Sequence, residues 1–259
     1  MMMNKSSHIQ CSLRSHLVLL SLFSACCLHA VTKADADALY NKEEYQKAAK
    51  AYTEILETQG VAAEIYYNLG NCYYKMDNMP LAILNYERAY VLSPGDDDIR
   101  NNLTFARGKI TDKIVPPSKM FFVTWWNDFT HIQSVNAWTI QAVVFFVLSL
   151  LSLLVYFLSF NVRIRKVAFT LGIVLLLVVV LDNLAAYSQH SDLKSHAAAI
   201  IMEPSVSVKS SPSQNSTDLF LIHEGSKVEI LDNTMEQWYE IKLEEGKRGW
   251  IPSNTVEVI

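Results

Sequence analysis

The chain has 259 residues, of which 51% are hydrophobic and 19% are charged, and its formal net charge is −4. This composition is too apolar for an ordinary soluble protein, and the excess is concentrated in long uncharged runs that indicate membrane segments. The acidic balance and the lack of a basic stripe argue against a nucleic-acid-binding surface.

The N-terminus has the pattern of a secretory signal. A basic region precedes an apolar run at residues 17–23 that is too short to span a bilayer, and small residues follow it. We therefore predict a signal peptide at residues 1–30, cleaved near Ala30 or Ala34. The residues around Cys26 also resemble a lipobox, so lipidation at Cys26 is the alternative.

Residues 63–96 have the pattern of a complete tetratricopeptide (TPR) repeat, a 34-residue unit of two antiparallel helices. Small residues at fixed positions let the two helices approach closely, and large residues fill the space between them. The eight signature residues are Tyr66, Leu69, Gly70, Tyr73, Ala82, Tyr86, Ala89 and Pro94.

A second copy of the repeat lies one period upstream, where Tyr45, Ala48 and Tyr52 stand 34 residues before their counterparts in the complete repeat. Downstream, residues 97–110 begin another first helix that lacks the glycine and has no second helix after it. Since each repeat must bury its face against a neighbour, this helix should cap the array. We predict TPR repeats with a capping helix over residues 34–113.

The stretch that follows is rich in aromatic residues and short of charge, from Lys119 to Trp138. Tryptophan and tyrosine partition to the headgroup level of a bilayer. We predict that residues 114–136 form an interfacial segment on the outer leaflet. An aromatic cage for a ligand is the alternative.

Two long apolar runs come next, and both are long enough to cross a bilayer as helices of roughly 20 residues. We predict transmembrane helices at 137–160 and 167–187, joined by a basic loop at 161–166. The alternative, a buried helical hairpin of a soluble core, does not explain the length of the runs or the placement of the charges.

The topology follows from two independent arguments. A signal sequence exports the segment that follows it, which places the repeats outside the cytoplasm. The basic loop at 161–166 should stay inside, which places both flanks of the hairpin outside. We therefore expect a two-pass membrane protein whose N- and C-terminal domains lie on the same outer face.

The C-terminal region, residues 197–259, alternates apolar and polar residues in short runs separated by turn residues, which predicts a small antiparallel barrel. The segments 238–241 (WYEI) and 246–251 (GKRGWI) resemble the bacterial SH3-like family. Residues 208–213 resemble the opening of that family, with Lys209 at a position where arginine is usual. The predicted fold class is thus multidomain: an α-helical TPR solenoid, a two-helix transmembrane hairpin and a small all-β SH3-like barrel.

The order of these segments is similar to that of the E component of the Bacteroides aerotolerance (Bat) operon. The resemblance rests on the repeat motifs at 45–103, the hairpin at 137–187 and the block at 238–250. It implies an envelope protein of the bacterial inner membrane, with its TPR and SH3-like domains on the periplasmic side, that works beside membrane-anchored von Willebrand factor A-type partners. It also implies a role in oxidative-stress tolerance or envelope maintenance.

The sequence contains no motif that indicates catalysis. A glycine-rich phosphate loop, a G-x-S-x-G elbow and an H-E-x-x-H helix are all lacking. We therefore predict no enzyme activity, no cofactor and no metal site. Asp182 lies in the second span near its outer end, where we expect a solvated carboxylate that marks topology; proton transfer is the alternative.

Binding must then come from surfaces. The first helices of a TPR array line a groove, and in the complete repeat the groove positions are Tyr67, Asn71 and Tyr74, with Asn68 and Lys75 beside them. Tyrosine supplies contact area and asparagine can pair with a peptide backbone, so we predict a peptide-binding groove. The alternative is that the two tyrosines only pack on the capping helix.

In the barrel, Tyr239 and Trp250 are the predicted binding surface, although tryptophans of this region can also belong to the core. Two functions remain. The first is a membrane-tethered adaptor that gathers envelope proteins through its TPR groove. The second is a wall-sensing factor whose barrel binds peptidoglycan and whose repeats recruit a wall-remodelling enzyme. The expected partners are envelope proteins, membrane lipid and, in the second case, peptidoglycan.

Overall fold

The computed structural model describes residues 31–113, 120–195 and 197–259, with backbone alone for 192–195. The predicted signal peptide, its lipidation alternative at Cys26 and the beginning of the interfacial segment at 114–119 lie outside the described residues.

The N-terminal part is a helical solenoid. Each helix packs against the next one along the chain, as expected of stacked repeats. Its helices are α1 (Lys33–Asn41), α2 (Tyr45–Gln59), α3 (Ala63–Lys75), α4 (Met79–Leu92) and α5 (Asp97–Arg107). α1 and α2 form the first repeat, α3 and α4 form the second, and α5 covers the end of the second.

Side chains of the local sequence mark where these helices begin. The Asn78 side chain accepts a hydrogen bond from the N–H of Leu81, and Pro80 occupies the first turn of α4. The Asp96 carboxylate accepts from the N–H groups of Asp98 and Ile99 at the start of α5. Both arrangements satisfy donors that a helix start leaves without intrahelical partners.

Most of the signature residues lie in the helical core. Tyr66 and Tyr73 are partly buried, and Leu69, Gly70, Ala82, Tyr86, Ala89 and Pro94 are buried. Gly70 allows the closest approach, because a Cβ atom at this position would lie 2.7 Å from the Tyr86 ring. The pair of α3 and α4 therefore depends on a glycine facing an aromatic ring.

The two long apolar helices, α7 (Val135–Leu158) and α8 (Val162–Ser195), follow the short aromatic helix α6 (Phe121–Thr130). α7 and the Val162–Ser191 part of α8 are long and apolar enough to cross a membrane, and most of their apolar side chains are exposed. Ser149 donates to the carbonyl of Gly172 (3.1 Å) and Ser152 to that of Ala168 (2.7 Å). Small residues and hydrogen bonds from serine hydroxyls to the neighbouring helix are typical of helix pairs in membranes.

The turn of this hairpin is shorter than predicted. The sequence suggests a basic loop at 161–166, but α8 already begins at Val162 and the connection is 159–161. The Asn161 side chain accepts the N–H of Arg163 at 2.9 Å and so starts the helix early. α8 also continues beyond residue 187, where the second span is predicted to end, as far as Ser195.

The expectation of a solvated Asp182 is wrong. Only 2% of this residue is exposed, since the partner helix α7 places Gln141 opposite it. Gln141 Nε2 donates to one carboxylate oxygen at 3.2 Å. The other oxygen is buried and has no hydrogen-bond partner among the described residues.

The C-terminal domain is an antiparallel sheet in the order β3-β2-β6-β5-β4-β1-β7. Its core contains Val208, Ile222, Val228, Ile241 and Ile251, which alternate with more exposed residues as a half-buried sheet requires. The strands are β1 (Ala197–Ile201), β2 (Ser205–Lys209), β3 (Asp218–His223), β4 (Lys227–Met235), β5 (Trp238–Lys242), β6 (Arg248–Pro252) and β7 (Val256–Val258). The structure thus confirms the predicted fold class of a TPR solenoid, two long apolar helices and a small β domain.

We expect Gly70→Ala to lower the free energy of unfolding by about 1–3 kcal/mol, because the added methyl group overpacks against the buried Tyr86 ring. Helix propensity alone would favour alanine by about 1 kcal/mol, so the sign of the change separates the two effects. Gly172→Ala is the matched control, since its nearest neighbours are at 3.8 Å. Denaturant unfolding of the full chain in detergent measures both, and an unchanged or raised stability of Gly70→Ala would contradict the packing argument.

Candidate functional site

The first helices of the repeats, α1, α3 and α5, form one face of the solenoid, which we call the groove face. Asn71 of α3 is central to it: its Oδ1 accepts from the Tyr86 hydroxyl (2.7 Å) and from the Asn102 amide (3.0 Å). Tyr86 belongs to the second helix of the same repeat, and Asn102 belongs to α5. One side chain therefore ties three helices together.

The same arrangement occurs 34 residues upstream. Asp37 of α1 accepts from the Tyr52 hydroxyl and, at 3.4 Å, from the Asn68 amide. Asp37, Tyr52 and Asn68 each precede their counterparts by one repeat period. The groove face thus carries a two-rung hydrogen-bond ladder that fixes the spacing of its helices.

The predicted groove residues have different surroundings. Asn68 and Asn71 belong to the ladder, and Lys75 is exposed. The Tyr67 hydroxyl accepts from Asn102 at 3.0 Å, and Lys109 Nζ lies 4.1 Å from the centre of the Tyr74 ring. Both tyrosines are partly exposed, but the contacts described here run to α5 and the residues after it, as in the alternative of packing on the capping helix.

Phe105 on α5 is a residue that the prediction of the groove missed. It occupies the position one period after Asn71 and two periods after Asp37, and 65% of it is exposed. A phenyl ring cannot accept the hydrogen bonds of a rung, so the ladder ends there and an apolar ring faces solvent. The 34-residue spacing alone could have identified this position.

The β domain is docked on the solenoid rather than separate from it, and Lys33–Ile259 form one compact unit. Ile200 of β1 is fully buried among residues of α4 and α5, including Ile83 and Leu103. At Gly225 the approach is so close that a Cβ atom would lie 2.6 Å from Ile110. Its φ of +80° also favours glycine at this turn.

A buried carboxylate lies at the centre of this contact. Glu87 of α4 is 1% exposed and forms ion pairs with Arg107 of α5 and, at 2.8 Å, with Lys227 of β4. Burial by itself would raise the pKa of Glu87, but the two cations outweigh it and lower that pKa. Beside it, Arg88 donates to Glu257 (3.0 Å) and to the carbonyl of Val258 (2.7 Å).

A second carboxylate joins the segment after α5 to the β3–β4 turn. Asp112 accepts from the backbone N–H of His223 (2.7 Å), from His223 Nδ1 (2.8 Å) and from the Ser226 hydroxyl (2.8 Å). Desolvation would raise the pKa of Asp112, but these three donors outweigh it and the pKa is lowered. Asp112 thus holds both ends of the turn on the helical domain.

The two predicted surface residues of the barrel lie on opposite faces of the sheet. Tyr239 is paired with Ile251 and packs against the barrel core, while Trp250 is paired with Glu240. Since neighbouring residues of a strand point to opposite faces, Trp250 shares the outer face with Glu240 and Tyr239 shares the inner face with Ile251. The two residues therefore do not form one binding surface, and only Trp250 lies on the outer face of the sheet.

Comparison with known families agrees with both domains. Residues 34–97 match the family model described as Tetratricopeptide repeat, and residues 204–257 match the model described as Bacterial SH3 domain. A search of curated proteins finds no match to the chain. The chain therefore contains TPR repeats and a bacterial SH3 domain, both of which are typically interaction modules.

We expect Glu87→Gln to lower the free energy of unfolding by about 2 kcal/mol, because it leaves two cations at the interface without their carboxylate. This loss of stability should be smaller than the loss found when one partner of a fully buried ion pair is removed, since Arg107 and Lys227 are both partly exposed to solvent. Glu229→Gln is the matched control, because it breaks a partly exposed pair with Lys242 that lies within the β domain and not at the interface.

Denaturant unfolding measures the stability of both variants, and amide hydrogen exchange in β4 reports on docking. Faster exchange in the Glu87 variant alone is the expected result. Equal effects of the two substitutions would mean that Glu87 has no special role at the interface.

Acid should weaken the contact at Asp112. A carboxyl group with a lowered folded-state pKa stabilises the fold above its unfolded pKa, here 3.8, and the contribution is lost as the pH falls through the folded value. The difference in thermal midpoint between wild type and Asp112→Asn should thus be largest above about pH 4 and shrink below it. The exposed carboxylate of Asp98 provides the control, Asp98→Asn; a pH-independent difference for Asp112→Asn would contradict the assignment.

Proposed function

We propose that this chain is a membrane-anchored envelope scaffold that binds partner proteins through the groove face of its TPR repeats, with the SH3 domain as a second contact. The observation that carries the proposal is the docked arrangement of the two interaction modules through Glu87 and Asp112. A partner on one module is then held at a defined position relative to the other. We propose no enzymatic role and no cofactor.

The topology we propose is a two-pass protein of the bacterial inner membrane with both modules in the periplasm. The predicted signal at 1–30 would export the repeats, and the basic residues at the start of α8 would stay in the cytoplasm. The contact between the two modules supports their location on one side of the membrane, because Glu87 and Lys227 flank the hairpin in sequence and pair directly.

Helix α6 supports an orientation relative to the membrane surface. Phe121, Phe122 and Trp125 are exposed on it, and Trp126 Nε1 donates to Ser188 of α8 at 3.2 Å. Aromatic side chains at the end of an apolar hairpin suit the headgroup region. We propose that α6 lies on the outer leaflet and holds the solenoid close to the bilayer.

The finer assignment comes from the resemblance to the E component of the Bat operon. We propose that the partners are envelope proteins, including von Willebrand factor A-type membrane proteins, and that the complex acts in aerotolerance or envelope stress. The exposed Phe105 and the partly exposed Tyr67 and Tyr74 supply apolar contact area for such a partner.

The alternative function is a wall-sensing factor whose SH3 domain binds peptidoglycan. The observation that favours it is Trp250, which lies on the outer face of β6 and is partly exposed. In this case the repeats would recruit a wall-remodelling enzyme.

Co-purification from detergent-solubilised membranes tests the scaffold function. The groove variant should avoid the ladder, because Asn71→Ala would also remove the rung to Tyr86. We therefore choose Phe105→Ala with Lys75→Ala, two exposed residues for which no ion pair or ring contact is found among the described residues. The matched control is Val61→Ala with Lys50→Ala, also exposed but off the groove face.

We expect the groove variant to lose most of its co-purifying membrane proteins and the control to retain them. Partners that persist on both variants would place the association on the hairpin or the SH3 domain and overturn the groove assignment. Retention on purified sacculi, abolished by Trp250→Ala in the full chain, would replace the scaffold by the wall-binding alternative.

A further inference from the structure

The hairpin has an apolar groove at its turn end, distinct from the groove face of the solenoid. It has a volume of about 600 Å³ and is lined by Leu148, Leu151 and Val155 of α7 and by Val167, Leu171 and Leu175 of α8. From Arg163 to Leu175, helix α8 rises roughly 18 Å. That is close to the depth of one leaflet, which is half of the roughly 30 Å hydrocarbon core.

The mouth of this groove is positively charged. Arg163 belongs to its lining, and Arg165 and Lys166 follow within the same turn of α8. Residues 159–166 contain no acidic residue, and none of the three cations forms an ion pair within the part of the chain that the structure describes. The positive end of the helix dipole of α8 adds to their field.

The three cations are not equivalent. The Arg165 guanidinium lies 4.9 Å from the centre of the Tyr156 ring, a cation–π contact that gives it a partner within the hairpin. Arg163 instead lines the groove, next to Val167 one turn further along. The apolar groove and a cation in need of a counter-charge therefore meet at Arg163.

We propose that this groove binds an anionic phospholipid, with one acyl chain along the groove and the headgroup phosphate at Arg163. The inference depends on the membrane insertion in the proposed function. Charge complementarity selects this ligand: a neutral lipid fills the groove but leaves Arg163 without an anion. An apolar partner helix would also fill the groove without providing an anion for Arg163. Basic residues between transmembrane helices are a common setting for anionic headgroups.

The test uses the full chain purified in detergent. We measure the rise in thermal midpoint on addition of phosphatidylglycerol or of phosphatidylcholine with identical chains, and we count retained lipids by native mass spectrometry. The expected result is retention of phosphatidylglycerol in preference to phosphatidylcholine. Arg163→Gln should weaken phosphatidylglycerol binding about tenfold, the loss expected for one charge-assisted contact.

Arg165→Gln is the matched control, since it removes an identical charge two residues away and should leave binding within about twofold. Val167→Phe keeps all three charges and narrows the groove, and it should also reduce retention. Equal losses for the two arginine variants would show diffuse attraction and overturn the site. Equal retention of both lipids, an equal shift with inorganic phosphate, or a second membrane protein seated in the groove would overturn it as well.

The outcome is separable from that of the proposed function. Extraction of cell membranes with alkaline carbonate tests insertion directly, and release of the chain would remove the membrane anchor on which both proposals depend. If the chain stays in the membrane without a preference for anionic lipid, only the lipid site fails and the scaffold function is untouched.

Discussion

The arrangement of this protein depends on a single buried carboxylate. Glu87 is enclosed by two repeat helices and a strand of the SH3 domain, where an unpaired charge would be strongly unfavourable. Arg107 from the solenoid and Lys227 from the SH3 domain neutralise it together. Arg107 pairs with one carboxylate oxygen and Lys227 with the other. Both oxygens are therefore paired only when the two domains are in contact.

This contact changes what each module can do. A TPR array and an SH3 domain on flexible linkers would bind partners independently, with an effective concentration set by the linker. Docked through Glu87, Asp112 and Ile200, they present surfaces in a defined geometry. The ladder at Asp37 and Asn71 fixes the geometry within the solenoid, because the asparagines predicted to bind a peptide form hydrogen bonds to neighbouring helices instead.

The predictions from sequence were accurate where a short-range pattern carries the information. Gly70 and Tyr86 are recognisable as TPR positions because the repeat period places them, and the structure brings them into contact. The predictions failed where a partner from another element decides the environment. Asp182 is buried because α7 places Gln141 beside it, and Tyr239 and Trp250 separate because strand pairing sends them to opposite faces. The turn at 159–161 is short because Asn161 caps α8. The basic residues at 161–166 predict the side of the membrane, but their charge does not distinguish a loop from the start of a helix.

The sequence by itself determined the kinds of domain, their order and the apolar hairpin, because hydrophobic periodicity and run length are properties of neighbouring residues. Only the tertiary structure decided that the SH3 domain is docked on the repeats and that the Phe105 ring is exposed. It also decided that Arg163, rather than Arg165, meets the groove of the hairpin. Glu87 and Lys227 are separated by the entire hairpin in sequence, and no local pattern marks two such residues as an ion pair. Their pairing arises because folding brings opposite charges together where water is excluded.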